Sequence, residues 1–341
     1  MPIGADLVLR QKPGHEAILN EGKLLGEVIA EAARRFKTPL ALSLMDLAIE
    51  KEMALGLMGV PRQEAERFLF RGVPAPAMIE SFERGIGGAE TRRFRAQVES
   101  VAHVSRNTGL TSVGMAIGPF SLTVKLLEDA ITSVYAYGTG MSAGDSEEVA
   151  ALEKILEISL KTTLKSVGAQ IDAGAHAVCI AEPAGSIAYV SPKQMRAGSD
   201  AFRKFVVEPN LRVKELVESK GADLFFHCCG ELSEEMVVHY GTIRPAVLSL
   251  GSSRNLWKDA ALVPKDTVLF GNLPSKRFPS DNMTIAEVRK AAEELLERMR
   301  AADHPFILGT ECDVLSVPGK EKAIMEKVDA FISAAGKSPG T

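Results

Sequence analysis

The sequence predicts an α/β fold, a (β/α)8 TIM barrel with an N-terminal helical elaboration, built as one domain over residues 1–341. Short apolar runs recur along the chain, and an amphipathic stretch follows each of them. The runs are apolar at consecutive positions, which is typical of strands buried on both faces of a parallel sheet. Regular alternation of strand and helix favours a closed barrel, with a doubly wound open sheet as the second possibility.

Seven runs carry the strand pattern. In chain order they are residues 38–44, 112–118, 177–181, 223–227, 246–250, 267–271 and 305–309. Between them, the apolar residues from Leu152 to Ile171 recur at helical spacing, and Thr284 with Glu287 forms a capping box that opens a later helix. Residues 1–36 and the stretch from about 55 to 108 are predicted to be helical elaborations of the barrel.

Composition and charge exclude several classes of protein. Hydrophobic residues make up 46% and charged residues 25% of the chain, which suits a folded protein with a large core and excludes disorder. A net charge of −4 offers no overall positive field for a polyanion, so we expect no nucleic-acid partner. No apolar stretch reaches the ~18 residues of a membrane helix, and the first residues lack the pattern of a secretory signal. We therefore expect a cytoplasmic protein with no membrane partner.

The most informative motif is His227-Cys228-Cys229-Gly230. Imidazole and thiolate are preferred ligands of zinc, and catalytic zinc sites use three protein ligands and keep a fourth position open. His227 ends the fourth predicted strand, Cys229 comes directly after it, and Cys312 follows the last strand. Because distant strand ends face one mouth of a closed barrel, these three residues are predicted to bind a single Zn²⁺ ion. Cys179 and Cys228 are predicted to pack as small apolar side chains.

Several segments together resemble one family. His227-x-Cys229-Gly230, residues 271–274 and residues 306–314 are similar to the uroporphyrinogen decarboxylase superfamily, and within it to the zinc methyltransferases that act on methylated corrinoid proteins. The similarity extends from about residue 39 to residue 331. The resemblance implies Zn²⁺ at the three predicted ligands and a methylcobamide substrate carried by a corrinoid protein partner. It also implies a small-molecule methyl acceptor or donor.

Three acidic residues at strand ends are further candidates for the site. Asp46 follows the first strand and matches the aspartate that decarboxylases of the superfamily use, and Glu182 follows the third strand. We predict that these two carboxylates are catalytic, because either is suited to accept a thiol proton or to orient a ligand. Glu311 stands where the superfamily commonly has glycine, and it is either a candidate fourth ligand of the zinc when substrate is absent or a salt-bridge partner at the rim.

Three enzymatic functions remain open, beside a non-catalytic one in which zinc only holds strands together or the barrel binds a corrinoid protein without turnover; in that case metal loss should unfold the protein. Methyl transfer between a methylcobamide and a thiol or related acceptor is favoured, because the chain lacks the early Arg-Gln-Ala-Gly-Arg-type segment whose cations hold a tetrapyrrole in the decarboxylases. A decarboxylase would use Asp46 and no metal. A first-step demethylase would use the same zinc site to move a methyl group from an O- or N-methyl donor to cob(I)amide. The sequence determines neither the direction of transfer nor the oligomeric state.

Overall fold

One parallel sheet forms the centre of the fold. The computed structural model describes residues 4–88 and 90–335. Within these residues, seven strands lie side by side in chain order, and every neighbouring pair is parallel. The strands are β1 (Leu40–Leu42), β2 (Thr111–Ile117), β3 (Ala177–Ala181), β4 (Asp223–Cys228), β5 (Val247–Leu250), β6 (Val268–Leu273) and β7 (Phe306–Thr310).

The strand order distinguishes between the two predicted architectures. Each strand coincides with a predicted apolar run to within two residues. The order runs from β1 to β7 without reversal, whereas a doubly wound sheet reverses its order at a switch point. The sheet is therefore compatible with a TIM barrel.

The eighth strand of the predicted barrel does not occur in the described part of the chain, where β1 and β7 end the order and do not pair with each other. The chain leaves the sheet after β7, because residues 311–320 form a loop. In this loop the N–H of Ser316 donates to the carboxylate of Asp6 (2.7 Å) rather than to a strand.

Helices cover the outside of the sheet. They are α1 (Ala5–Arg10), α2 (His15–Ile18), α3 (Gly22–Arg35), α4 (Ile49–Leu57), α5 (Arg62–Ala65), α6 (Pro76–Gly85), α7 (Arg92–Asn107), α8 (Pro119–Leu126), α9 (Ala130–Gly138), α10 (Glu147–Asp172), α11 (Pro192–Arg196), α12 (Glu208–Ser219), α13 (Glu234–Ile243), α14 (Leu256–Asp259), α15 (Ile285–Ala301) and α16 (Glu321–Ala335). A π-helical turn at Arg203–Val207 leads into α12, and a 3₁₀ turn at Ser275–Arg277 follows β6. Helices α1 to α3 precede β1, and α4 to α7 separate β1 from β2.

Local sequence explains where the long helices begin. The predicted capping box is present at α15, where Thr284 accepts from the N–H of Glu287 and the Glu287 side chain accepts from the N–H of Thr284. Ser146 caps α10 by accepting from the N–H of Val149 (3.3 Å). Pro119 opens α8, where its missing N–H costs no hydrogen bond.

Apolar side chains fill both faces of the sheet, which is why the strands lack an alternating pattern. A small cluster packs against the inner face and consists of Leu42, Val113, Met115, Cys179, Ala181, Phe225 and Phe270. A much larger cluster lies between the sheet and the helices and includes Cys228. Because all the strands are parallel, their carboxyl ends lie at one end of the sheet, where barrels of this type carry their active sites.

Candidate metal centre

Three side chains converge at the carboxyl ends of β4 and β7. The ligand atoms of His227, Cys229 and Cys312 all lie within 4.8 Å of one another. His227 is fully buried, while Cys229 and Cys312 are partly exposed at the mouth. A tetrahedral zinc site with ordinary bond lengths has ligand-to-ligand distances of roughly 3.5 to 4 Å. The spacing of these three residues, the ligand triad, therefore fits one zinc ion after small side-chain adjustments.

The ring of His227 is oriented for metal binding. Its Nδ1 hydrogen-bonds to the hydroxyl of Ser249 (3.0 Å), which lies opposite it in the β4–β5 register. Its Nε2 is buried and has no hydrogen-bond partner among the described residues. Burial lowers the pKa of His227, which favours the neutral ring. In the tautomer that donates from Nδ1 to Ser249, Nε2 carries the lone pair. An unpartnered buried nitrogen beside two thiols is the arrangement expected of a metal ligand.

The two thiols of the triad affect each other. Interaction with the Cys312 thiol lowers the pKa of Cys229, and the positive charge of Lys276 lowers it further. Interaction with Cys229 together with burial raises the pKa of Cys312 to about 12. Of the two thiols, Cys229 is therefore the one that more readily becomes a thiolate.

Backbone contacts hold both cysteine segments in place. The carbonyl of Cys312 accepts hydrogen bonds from the hydroxyls of Thr310 (2.7 Å) and Ser275 (3.1 Å). Gly230 follows the first two ligands, and a Cβ at this position would lie 2.5 Å from the Cβ of Ser186. The glycine is therefore needed for a close backbone approach, and its φ is not positive.

The other two cysteines lie in the apolar clusters, as predicted. Cys179 packs inside the sheet, and the thiol of Cys228 donates to the carbonyl of Gly185 (3.6 Å) on the outer side. Burial raises the pKa of each thiol to about 12. Neither sulfur belongs to the ligand triad.

Glu182 lies outside the ligand triad and is fully buried. Its carboxylate accepts hydrogen bonds from the N–H groups of Phe120 (3.2 Å) and Ser121 (2.5 Å) and from the amide of Asn210 (2.9 Å). Two of these donors are the free N–H groups of the first turn of α8, where a negative charge is favourable. The observed contacts therefore tie the end of β3 to α8 and α12. Proton transfer by Glu182 stays a prediction.

Replacing Glu182 tests this structural contribution. We expect Glu182→Ala to lower the free energy of unfolding by about 3 kcal/mol or more, because two N–H groups and one amide lose their acceptor inside the core. The free energy is measured by urea denaturation, with the exposed Glu231→Ala as a control for loss of a carboxylate. A stable Glu182→Ala protein that loses only its activity would instead assign Glu182 to the chemistry.

Asp46 lies on a different part of the mouth. Its carboxylate pairs with Arg93, which also binds Glu52 (2.6 Å). Asp46 and Asp313 line a common cavity of about 460 Å³, and Asp313 is the residue after Cys312. Asp46 is thus near the segment that carries one ligand, but it does not belong to the ligand triad.

Glu311 is not placed among the converging ligands. Its carboxylate accepts from the N–H (3.2 Å) and the hydroxyl (2.7 Å) of Ser252, and the side chain is almost fully buried. The candidate fourth ligand therefore binds the loop after β5 in this structure.

Two residues that the sequence argument missed lie beside the triad. Ser249 lies within an apolar strand, where no sequence motif marks it as a site residue. Only the strand register, which places it opposite His227, indicates its role. Lys276 is exposed in the 3₁₀ turn after β6, and its charge contributes to lowering the pKa of His227 and Cys229. No ion pair to Lys276 occurs within residues 4–88 and 90–335.

The sequence model of one family matches residues 7–337, nearly the whole chain, and its description is uroporphyrinogen decarboxylase (URO-D). The protein belongs to the URO-D family. Two solved structures share the fold of this URO-D family member at low sequence identity. A methyltransferase from Methanosarcina mazei is 17% identical with a TM-score of 0.68, over 98% of this chain and 91% of the other.

The second structure is a putative vitamin-B12 independent methionine synthase from Listeria monocytogenes. It is 12% identical to this URO-D family protein with a TM-score of 0.51, over 96% of this chain and 89% of the other. A search of curated proteins found no match. Of the helices in the described part of the chain, none combines the length and apolarity of a membrane span.

Proposed function

We propose that this URO-D family protein is a zinc-dependent methyltransferase. It moves a methyl group between a methylcobamide, carried by a corrinoid protein, and a small thiol or related acceptor in the cytoplasm, where free thiols stay reduced. The observation that carries the proposal is the ligand triad itself. One imidazole with an unpartnered Nε2 and two thiols lie within 4.8 Å of one another at the mouth of the sheet. The methyltransferase named among the solved structures supports the same reaction class.

The residues at this site have different proposed roles. His227, Cys229 and Cys312 would hold the ion, and a zinc ion held there supplies the Lewis acidity that makes a substrate thiol a thiolate at neutral pH. Ser249 fixes the orientation of the His227 ring. Lys276 places a positive charge near Cys229, where it would help to offset the negative charge of thiolates at the site.

The surroundings of Asp46 favour methyl transfer over decarboxylation. A decarboxylase of the type considered above needs the Asp46 carboxylate free to meet its substrate. Here that carboxylate is paired with Arg93, and the same guanidinium binds Glu52. The guanidinium is therefore neutralised by two acids and offers little net positive charge to a tetrapyrrole carboxylate.

Zinc analysis followed by a methyl-transfer assay tests the proposal. Purified full-length protein is analysed for metal and then incubated with methylcobalamin and a panel of acceptors: 2-mercaptoethanol, 3-mercaptopropionate, cysteamine, homocysteine and tetrahydrofolate. We expect stoichiometric zinc and demethylation of methylcobalamin with at least one thiol. The reverse direction is assayed with cob(I)alamin and methyl ethers or methylamines. Protein without stoichiometric metal that ignores methylcobalamin and decarboxylates a porphyrinogen would refute the proposal.

Ser249 provides a sharper test of the metal centre. We expect Ser249→Ala to raise the dissociation constant for zinc by roughly 10- to 100-fold, because the His227 ring loses the hydrogen bond that orients it. Ser249→Thr keeps the hydroxyl and should restore the affinity. Competition with a chromophoric chelator measures the constant, and equal affinity in all three proteins would contradict the assigned role.

A further inference from the structure

The two end strands of the sheet leave an unpaired seam. Strands β1 and β7 stand at the ends of the order and form no ladder with each other. Strand β7 is the most exposed of the seven, and the side chain of Ile307 is 38% exposed although the residue is apolar. An exposed apolar strand beside an open edge is unusual in a parallel sheet, whose strands are normally covered on both faces.

A cavity of about 380 Å³ occupies this seam, on the side of the amino ends of the strands. Its lining is apolar apart from the Lys37–Thr38 segment at the rim. The apolar wall comes from strands β1, β6 and β7 and from helices α1, α3 and α16. We call this space the seam cavity.

The seam cavity connects the surface with the inside of the sheet. Lys37, Pro39 and Ile307 are exposed at its rim. Leu42 and Phe270, at its inner end, are buried members of the cluster inside the sheet. A cavity of this size falls within the range of small-ligand sites. Because most of its lining side chains are apolar, an alkyl group that fills the cavity gains van der Waals contacts with them.

The rim adds a charge to this apolar space. Lys37 follows α3 with a φ of 52°, a left-handed conformation that strongly favours glycine at the end of a helix. The N–H of Thr38 donates to the carbonyl of Ala33 (3.0 Å), which fixes this turn. No ion pair to Lys37 occurs in the described residues. A lysine therefore occupies a position better suited to glycine and brings an unpaired ammonium group to the rim.

We propose that the seam cavity is a binding site for a linear aliphatic carboxylate. Two strand edges bound the space, so it suits an extended alkyl chain that runs inward from the rim towards Phe270 and Leu42. The carboxylate lies at the rim, where the Lys37 ammonium binds it. The site is separate from the ligand triad, since the two share no residue.

Titration calorimetry on the full-length protein tests this site with decanoate, decanol and decylammonium. We expect decanoate to bind one per chain, decanol to bind less tightly and decylammonium to bind least. Lys37→Gly should weaken decanoate binding about two- to fivefold, the range for one exposed ion pair. The same substitution should not lower the melting temperature, because glycine suits this φ. Ile307→Trp should block the rim and weaken binding at least tenfold.

Two results would overturn the proposal. If none of the three amphiphiles binds, the seam cavity is only a packing void. If decanol and decanoate bind equally and Lys37→Gly changes neither, the carboxylate assignment is wrong. Binding of decanoate should persist in Cys229→Ser, so the outcome does not depend on the metal centre.

Discussion

Cys229→Ser is expected to abolish stoichiometric zinc binding. Replacing one sulfur of the ligand triad removes a thiolate that a serine hydroxyl does not replace at neutral pH. The affinity for zinc should fall by at least about a hundredfold, beyond the loss typical of residues that only support a ligand. Methylcobalamin demethylation should fall to the background rate with it. Elemental analysis of the purified variant and the methyl-transfer assay measure the two effects.

The neighbouring residue supplies the matched control. Cys228 differs from Cys229 by one position, but its thiol faces the carbonyl of Gly185 and not the ligand triad. Cys228→Ser should keep both zinc and activity, because a serine hydroxyl can donate to the same carbonyl. Equal zinc contents in Cys229→Ser and Cys228→Ser would contradict the proposed metal centre.

Glu50→Gln is expected to stabilise the protein at alkaline pH. Glu50 is fully buried in α4, and one of its carboxylate oxygens has no hydrogen-bond partner among the described residues. Burial raises its pKa to about 7 from an ordinary 4.5, which corresponds to about 3 kcal/mol. The folded state binds this proton more tightly than the unfolded state, so this contribution is favourable at acid pH. It is lost as the pH rises from about 4.5 through about 7.

Urea denaturation at pH 5 and pH 8 measures this effect. The wild-type protein should lose stability relative to Glu50→Gln on going from pH 5 to pH 8, by up to about 3 kcal/mol. Glu52→Gln is the control, because Glu52 is on the same helix but forms an ion pair with Arg93 (2.6 Å). That variant should gain no stability at pH 8. A parallel pH dependence in wild type and Glu50→Gln would mean that Glu50 titrates normally.

The ligand triad could be inferred from the sequence because its assembly depends on the topology of the sheet. Parallel strands place all their carboxyl ends together, so residues after the fourth and the last strand become neighbours whatever lies between them. When imidazole and thiolate side chains meet at those positions, metal binding is the main function that they can perform together. The seven strands were predictable for a similar reason, since consecutive apolar residues mark strands covered on both faces.

The surroundings of the site could not be inferred in this way. The pairing of Asp46 with Arg93 connects the end of β1 to a helix through side chains alone. No local sequence pattern predicts this contact. Glu182 follows a strand as a catalytic residue would, but its three donors come from α8 and α12. The missing pairing of β1 with β7 depends on the route of the chain after residue 310, which the strand pattern does not determine.

The spacing of the ligand triad along the chain has a consequence for biosynthesis. His227 and Cys229 leave the ribosome before Cys312, which comes from the last strand. A nascent chain therefore presents two ligands, and the third arrives only when the final strand has docked. For the proposed zinc site, we therefore expect metal capture to be a late event in maturation, and a chain truncated before β7 would have an incomplete centre however well its earlier strands had folded.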